Sequence, residues 1–180
     1  MLNRIHYLFR VPRDRDRAAL PWAQIITLSL ALWVGGSLVL DFVVMPSLMD
    51  AGMMTSPDFA TAGFVTFERF NHLELLAAAA TLTGVLAISK HNHGFGTATR
   101  SATVLAGLLL AITLLYTYLL TPQMSALGLN LNLFDPQVVI PSGMNAMHVS
   151  YWSLEAVKLT VAGWLLHLCD RQFVRSDSIT

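Results

Sequence analysis

Four apolar segments, each long enough to cross a lipid bilayer, constrain the fold of this chain more than any other feature. They cover residues 22–45, 65–89, 102–120 and 147–168, and a helix needs about 20 residues to span the hydrocarbon core. Charged residues make up only 12% of the chain, against roughly 25% in soluble domains. The sequence therefore predicts an all-α integral membrane protein with four transmembrane helices.

Lysine and arginine are distributed unevenly among the segments that connect these spans. Five arginines precede the first span, and the connections 46–64 and 121–145 contain neither lysine nor arginine. Cytoplasmic loops are enriched in both residues, and short connections favour antiparallel neighbours. The predicted topology is an up-down bundle with both termini in the cytoplasm, and it places on that side Lys90, Arg100, Arg171 and Arg175.

The predicted organisation has three parts: a basic cytoplasmic segment at 1–21, a transmembrane domain at 22–169 and a cytoplasmic tail at 170–180. The formal net charge is zero, so there is no electrostatic basis for binding nucleic acid. The expected partner is the lipid bilayer of a bacterial inner membrane or an equivalent membrane. A homo-oligomer and a larger membrane complex are both compatible with the sequence.

Ionisable side chains occur inside the spans, where lipid penalises them. Glu68 and His72 are four residues apart and share a helix face, while Asp41 and His148 lie near the predicted outer ends of their spans. Imidazole and carboxylate suit a transition metal, and two imidazoles on facing helices suit haem. These four residues form a candidate metal or haem site, with the connection around Phe134 as its lid. Alternatively, the histidines are packing residues and Asp41 caps its helix.

A second polar set lies nearer the middle of the spans. Glu155 and Lys158 are three residues apart in the fourth span, Glu74 lies at a similar depth in the second, and Arg69 precedes it by just over one turn. The sequence predicts that these four residues form a buried polar network. Two alternatives remain open: a self-compensated Glu155–Lys158 pair that only allows insertion, and an Arg69 side chain that reaches the outer headgroups.

Three functional hypotheses follow from these features. The chain contains no nucleophile with a paired base, no phosphate-binding glycine loop and no dinucleotide fingerprint, so an ordinary enzyme is not expected. The first hypothesis is a protein that binds a metal ion or haem. The second is a non-catalytic accessory or assembly subunit of a larger membrane complex. The third is a small oligomeric transporter that uses Glu74, Glu155 and Lys158 as a proton or ion path.

One stretch of the first span resembles a known group of proteins. The sequence LALWVGGSLVLDFVVMPSLMDAG contains Trp33, Gly35 and Gly36, followed about ten residues later by Pro46. It is similar to the first span of small four-span membrane proteins of the copper-resistance D-like type and related families of unknown function. The resemblance implies a four-span fold. The first span lacks a histidine and the outer connections lack a methionine-rich motif, so it does not imply copper handling.

Overall fold

The structure is a computed structural model that describes residues 14–53, 59–92, 98–134 and 143–177. This described part is helical and contains no strand. Its α-helices are α1 (Asp14–Val39), α2 (Met45–Asp50), α3 (Phe59–Asn92), α4 (Thr99–Leu115), α5 (Thr121–Phe134) and α6 (Met144–Asp177). The predicted amino-terminal segment before residue 14, the stretch 135–142 of the predicted lid and the last three residues lie outside the described residues.

Three helical stretches are long and apolar enough to cross a membrane: Trp22–Asp50, Thr61–Lys90 and Thr99–Leu127. Each contains one of the first three predicted spans and extends beyond it. Helix α6 is as long as α3, at 34 residues, but it is not apolar enough to be included with these three stretches. All-α character and three membrane-compatible helices are therefore features of the structure.

The helices expose many large apolar side chains, while several polar side chains are buried between them. Leu32, Leu76 and Trp164 are each more than 60% exposed, whereas Ser37 and Thr81 are fully buried. A soluble protein rarely leaves so many large apolar side chains in water. The exposed set covers all the long helices, and it includes Leu28, Leu32, Phe42, Leu73, Leu76, Leu86, Val104, Leu108, Tyr118, Val149 and Trp164. This distribution is the one expected of helices that contact lipid.

The long helices pack side by side, so that α1 and α4 each contact both α3 and α6. Small residues allow close approach at these contacts, among them the buried Ala78, Ala106 and Ala162. Gly84 of α3 lies against Ile26 of α1, where an added Cβ would come within 2.6 Å of Ile26 Cγ1. Ile26 is fully buried and has little room to move, so this contact requires glycine.

Gly84→Ala should be less stable than Gly163→Ala by about 1–3 kcal/mol, the usual cost of overpacking a core. Both substitutions gain the same helical propensity, about 1 kcal/mol, but an added Cβ at Gly163 meets nothing within 4 Å. The measurement is the difference in thermal unfolding between the two purified variants. Equal stability of the two variants would show that Ile26 yields to the added methyl group.

Two π-helical turns interrupt the first and third membrane-compatible helices. The first covers Leu40–Val44 and the second covers Tyr116–Leu120. In each, the residue after the turn donates its N–H to the carbonyl five residues earlier. Each turn also ends two residues before a proline, Pro46 or Pro122. Proline lacks an N–H and its ring crowds the carbonyl four residues earlier, and a π-turn accommodates this change in the hydrogen-bond ladder.

The helices therefore continue through both prolines instead of ending near them. The first continues from Val44 into α2, and the second continues from Leu120 into α5 as far as Phe134. The spans predicted from the sequence end at residues 45 and 120. Local α-helical rules end a helix close to a proline, whereas the π-turn removes the clash and lets the helix extend.

Candidate functional site

Glu74 of α3 is the centre of a polar cluster inside the helical assembly. Its Oε1 atom accepts hydrogen bonds from Trp33 Nε1 at 2.8 Å and from Ser37 Oγ at 2.9 Å. The same oxygen forms an ion pair with the ammonium group of Lys158. Trp33 and Ser37 are four residues apart on α1 and so face α3 together. Glu74 is only 2% exposed, and its charge is held by donors from two other helices.

Lys158 of α6 connects Glu74 to a second carboxylate. Its Nζ atom lies 2.7 Å from Glu155 Oε2, one turn earlier on α6. The same ammonium lies 5.9 Å from the ring centroid of Trp33 and 5.3 Å from that of Tyr116, within the range of cation–π attraction. Lys158 is 2% exposed and Glu155 is 1% exposed. The ammonium is therefore enclosed by two carboxylates and two aromatic rings.

Two tyrosines extend the cluster to a third carboxyl group. The Tyr116 hydroxyl lies 3.1 Å from the backbone carbonyl of Tyr151 and 3.3 Å from Glu155 Oε2. The Tyr151 hydroxyl donates to Asp41 Oδ1 at 2.7 Å. Asp41 is 4% exposed. Together these groups form a buried charge cluster, which consists of Asp41, Glu74, Tyr116, Tyr151, Glu155 and Lys158.

Both π-turns contribute a residue to the buried charge cluster. Asp41 lies in the first turn and Tyr116 is the first residue of the second. A π-turn adds one residue to a helical turn and so rotates the side chains that precede it relative to those that follow. Such turns are frequent at functional sites. Pro46 and Pro122 thus help to set the helical register that brings Asp41 and Tyr116 to α6.

Carboxyl groups outnumber cations in this cluster. Asp41, Glu74 and Glu155 are all buried, and among the described residues Lys158 is the only buried cation. One acceptor, Glu155 Oε1, is buried without a hydrogen-bond partner. Such orphaned acceptors are uncommon in folded proteins. The oxygen without a partner therefore belongs to Glu155, in the same cluster that has more carboxyl groups than cations.

The structure separates Asp41 from the other members of the predicted metal or haem site. Glu68 and His72 are exposed, and His72 Nδ1 lies 2.7 Å from the backbone carbonyl of Glu68, its neighbour one turn earlier. His148 is also exposed, while Asp41 is buried with Tyr151. In the described ranges, no group of three or more His, Cys, Asp or Glu side chains is arranged to hold a metal ion.

The structure brings together three of the four residues of the predicted polar network. Glu74, Glu155 and Lys158 are in direct contact, whereas Arg69 is exposed. Four further residues that contact the carboxyl groups of the buried charge cluster were not predicted from the sequence: Trp33, Ser37, Tyr116 and Tyr151. The spacing of Trp33 and Ser37 and the proline after each π-turn were the signals that could have indicated them.

Neither a curated protein nor a solved structure matches this chain. The sequence profile of a domain of unknown function, DUF4149, matches residues 28–130. This range includes Asp41, Glu74 and Tyr116, while α6 with Glu155 and Lys158 lies beyond it. The resemblance to copper-resistance D-like proteins stays a prediction. Because the matched range is more than half of the 180 residues, the chain belongs to the DUF4149 family.

Proposed function

We propose that this protein is a small proton-translocating membrane protein, active as a homo-oligomer, in which the buried charge cluster carries the proton. The observation that supports this proposal is the surplus of buried carboxyl groups over cations. Ionisable residues inside membrane helices are costly, and where they face the protein interior they commonly form proton or ion paths. Four spans are few for a monomeric transporter, so the proposal includes an oligomer.

A purely structural ion pair explains the cluster less well. Glu155 and Lys158 alone would compensate each other and would allow α6 to enter a membrane. Glu74 and Asp41 then add two further carboxyl groups that such a pair does not require. Replacing buried ionic groups with apolar ones is often neutral or stabilising. A cluster with uncompensated acids is therefore not explained by stability, and a functional role explains it better.

The topology that accompanies this function has four spans, with α6 as the fourth. The charged residues of α6, Glu155 and Lys158, are buried, while Val149, Val157 and Trp164 are exposed. A helix with this distribution presents an apolar surface to lipid despite its lower mean hydropathy. The positive-inside pattern supports an up-down bundle with both termini in the cytoplasm, in the inner membrane of a bacterium or an equivalent membrane.

Cysteine labelling tests this topology in a Cys169→Ala background. The exposed positions Ala51 and Asn145 should react with a membrane-impermeant reagent added outside intact cells, after substitution with cysteine. Lys90→Cys and Arg171→Cys should react only after the membrane is permeabilised. Labelling of Asn145 and Arg171 from the same side would show that α6 does not cross the membrane.

Proton translocation can be measured in liposomes that contain the purified protein and a pH-sensitive dye. A potassium gradient with valinomycin sets the membrane potential, and the wild type should then acidify the lumen faster than protein-free liposomes. Glu155→Gln should reduce the rate to that of protein-free liposomes, because it removes the carboxyl group that has a buried oxygen without a hydrogen-bond partner. Glu68→Gln is the matched control, since Glu68 is exposed, and it should keep the wild-type rate.

Equal rates for the wild type and the protein-free liposomes would contradict the proposal. The accessory-subunit hypothesis would then lead, with lipid-facing apolar surfaces as docking faces. The metal or haem hypothesis has weaker support, because its candidate histidines His72 and His148 are exposed and the described residues offer no metal-binding group. An optical spectrum and an elemental analysis of the purified protein would test it directly.

A further inference from the structure

We infer that Asp41 and Glu155 share a single proton, and that this acid pair, rather than Glu74, is the group of the buried charge cluster that binds and releases protons. The inference rests on the proposed function for its role in translocation. The shared proton is present in the protein at rest, whether or not protons cross the membrane. Infrared spectroscopy measures the shared proton, and flux into liposomes measures translocation.

Glu74 is already compensated. Its Oε1 atom faces the Lys158 ammonium and also accepts the N–H of Trp33 and the O–H of Ser37. Hydrogen bonds and an opposite charge both favour the ionised form of a carboxyl group. Adding a proton to Glu74 would weaken its interaction with all three donors. Glu74 and Lys158 thus form a fixed ion pair at the centre of the cluster.

Asp41 and Glu155 are compensated only in part. Asp41 Oδ1 accepts the Tyr151 hydroxyl, and Glu155 Oε2 faces Lys158 and the Tyr116 hydroxyl. Glu155 Oε1 has no donor. Asp41 and Glu155 are close enough to interact with each other, yet two ionised carboxylates cannot hydrogen-bond to each other because neither has a proton to donate.

One shared proton resolves this arrangement. The proton supplies the missing donor between the two acids. It also removes one of the two negative charges of the pair. Lys158 does not balance both of these charges, because it is also paired with Glu74. Two neighbouring carboxyl groups in a buried site do not both ionise readily. The helices around the pair bring no further cation to it among the described residues: α1 contributes Asp41, α3 contributes Glu74, the second π-turn contributes Tyr116, and α6 contributes Tyr151, Glu155 and Lys158.

Release of this proton leaves two adjacent carboxylates beside Lys158, and uptake restores the hydrogen bond. The proton is exchanged with water that reaches the pair. In either state the Tyr151 hydroxyl donates to Asp41 Oδ1 and the Tyr116 hydroxyl donates to Glu155 Oε2. The two hydroxyls therefore orient the acids and need not ionise. Tyr116 and Tyr151 are therefore positioning residues, and the two acids hold the proton.

Infrared spectroscopy of the purified wild-type protein at neutral pH tests the pair directly. A protonated carboxyl group gives a carbonyl stretching band that ionised groups lack, and the band shifts when H₂O is replaced by D₂O. The wild type should show this band, and Asp41→Asn and Glu155→Gln should each lose it. Either amide can donate an N–H to the remaining carboxylate and so replaces the shared proton, which lets the variants fold; a single symmetric peak in gel filtration checks this.

Glu74→Gln is the matched control and should keep the band. The inference is overturned if the wild type lacks the band, including the case in which a bound sodium ion replaces the proton and the band appears only after sodium is removed. It is also overturned if Glu74→Gln loses the band while the other two variants keep it. A band without proton flux would refute the translocation function and leave the acid pair intact. Flux without a band would refute the pair alone.

Discussion

Replacing Lys158 with methionine should destabilise the protein by about 3–5 kcal/mol, the usual cost of leaving a buried charge without its partner. Lys158 is the ammonium that faces both Glu74 Oε1 and Glu155 Oε2. Methionine has a similar length but no charge, so it fills the space and leaves these carboxylates uncompensated. The measurement is the free energy of unfolding in detergent micelles, followed by denaturant or heat.

Removing the stranded carboxylates should restore most of this loss. Lys158→Met combined with Glu155→Gln should recover only part of it, because Glu74 remains ionised and buried. Adding Glu74→Gln should recover most of the remainder. Lys90→Met is the matched control, since Lys90 is exposed, and its effect should stay within about 0.5 kcal/mol. Equal losses in the single, double and triple variants would show that the ion pairs contribute little to stability.

The contact between Glu74, Glu155 and Lys158 could be predicted from the sequence, because it follows from helical spacing and from the cost of exposing charged groups to lipid. Glu155 and Lys158 are separated by three residues and must lie on one face of α6. Lipid excludes them from the outer face, so they turn inward. Glu74 lies at a similar depth in another apolar helix. The spacing, the apolar context and the cost of burial together predict the contact that the structure contains.

The third carboxyl group could not be assigned in the same way. Ideal α-helical spacing places Asp41 near the end of the first span, with the outer residues Glu68 and His72. The π-turn at Leu40–Val44 changes the register at that point, and Asp41 faces Tyr151 instead. Pro46 was the visible signal, and its counterpart Pro122 follows the second turn at the same spacing. A proline inside an apolar segment can thus indicate a π-turn as well as a helix end.

Helix α6 does not meet the hydropathy expected of a membrane span, unlike the other three long helices, because it contains buried charged residues. Hydropathy averages all residues of a window, so buried charges lower the value for a helix whose outer surface is apolar. Glu155 and Lys158 are buried while Val157 and Trp164 are exposed. Packing decides which side chains contact lipid, and a single helix considered alone does not contain that information. Cysteine labelling at the two ends of α6 therefore tests whether this helix is a fourth span.

Replacing Glu74 with leucine should destabilise the protein about as much as Lys158→Met, by roughly 3–5 kcal/mol. Leucine removes the acceptor for Trp33 Nε1 and Ser37 Oγ, and each buried donor that loses its acceptor costs about 1–3 kcal/mol. Lys158 keeps Glu155 but loses its closest carboxylate. Unfolding in detergent micelles measures the change, and Glu68→Leu, at an exposed position of the same helix, is the control.

Glu74→Gln separates the structural role of this side chain from any role in proton transfer. Glutamine keeps a carbonyl oxygen for Trp33 and Ser37, so it should lose much less stability than leucine does. Its neutral side chain leaves Lys158 paired with Glu155, and the Asp41–Glu155 pair keeps its shared proton. Proton flux through Glu74→Gln should then persist, while flux through Glu155→Gln is lost. If instead Glu74→Gln folds normally and abolishes flux, the exchanging group is Glu74, and the acid pair only holds the helices in place.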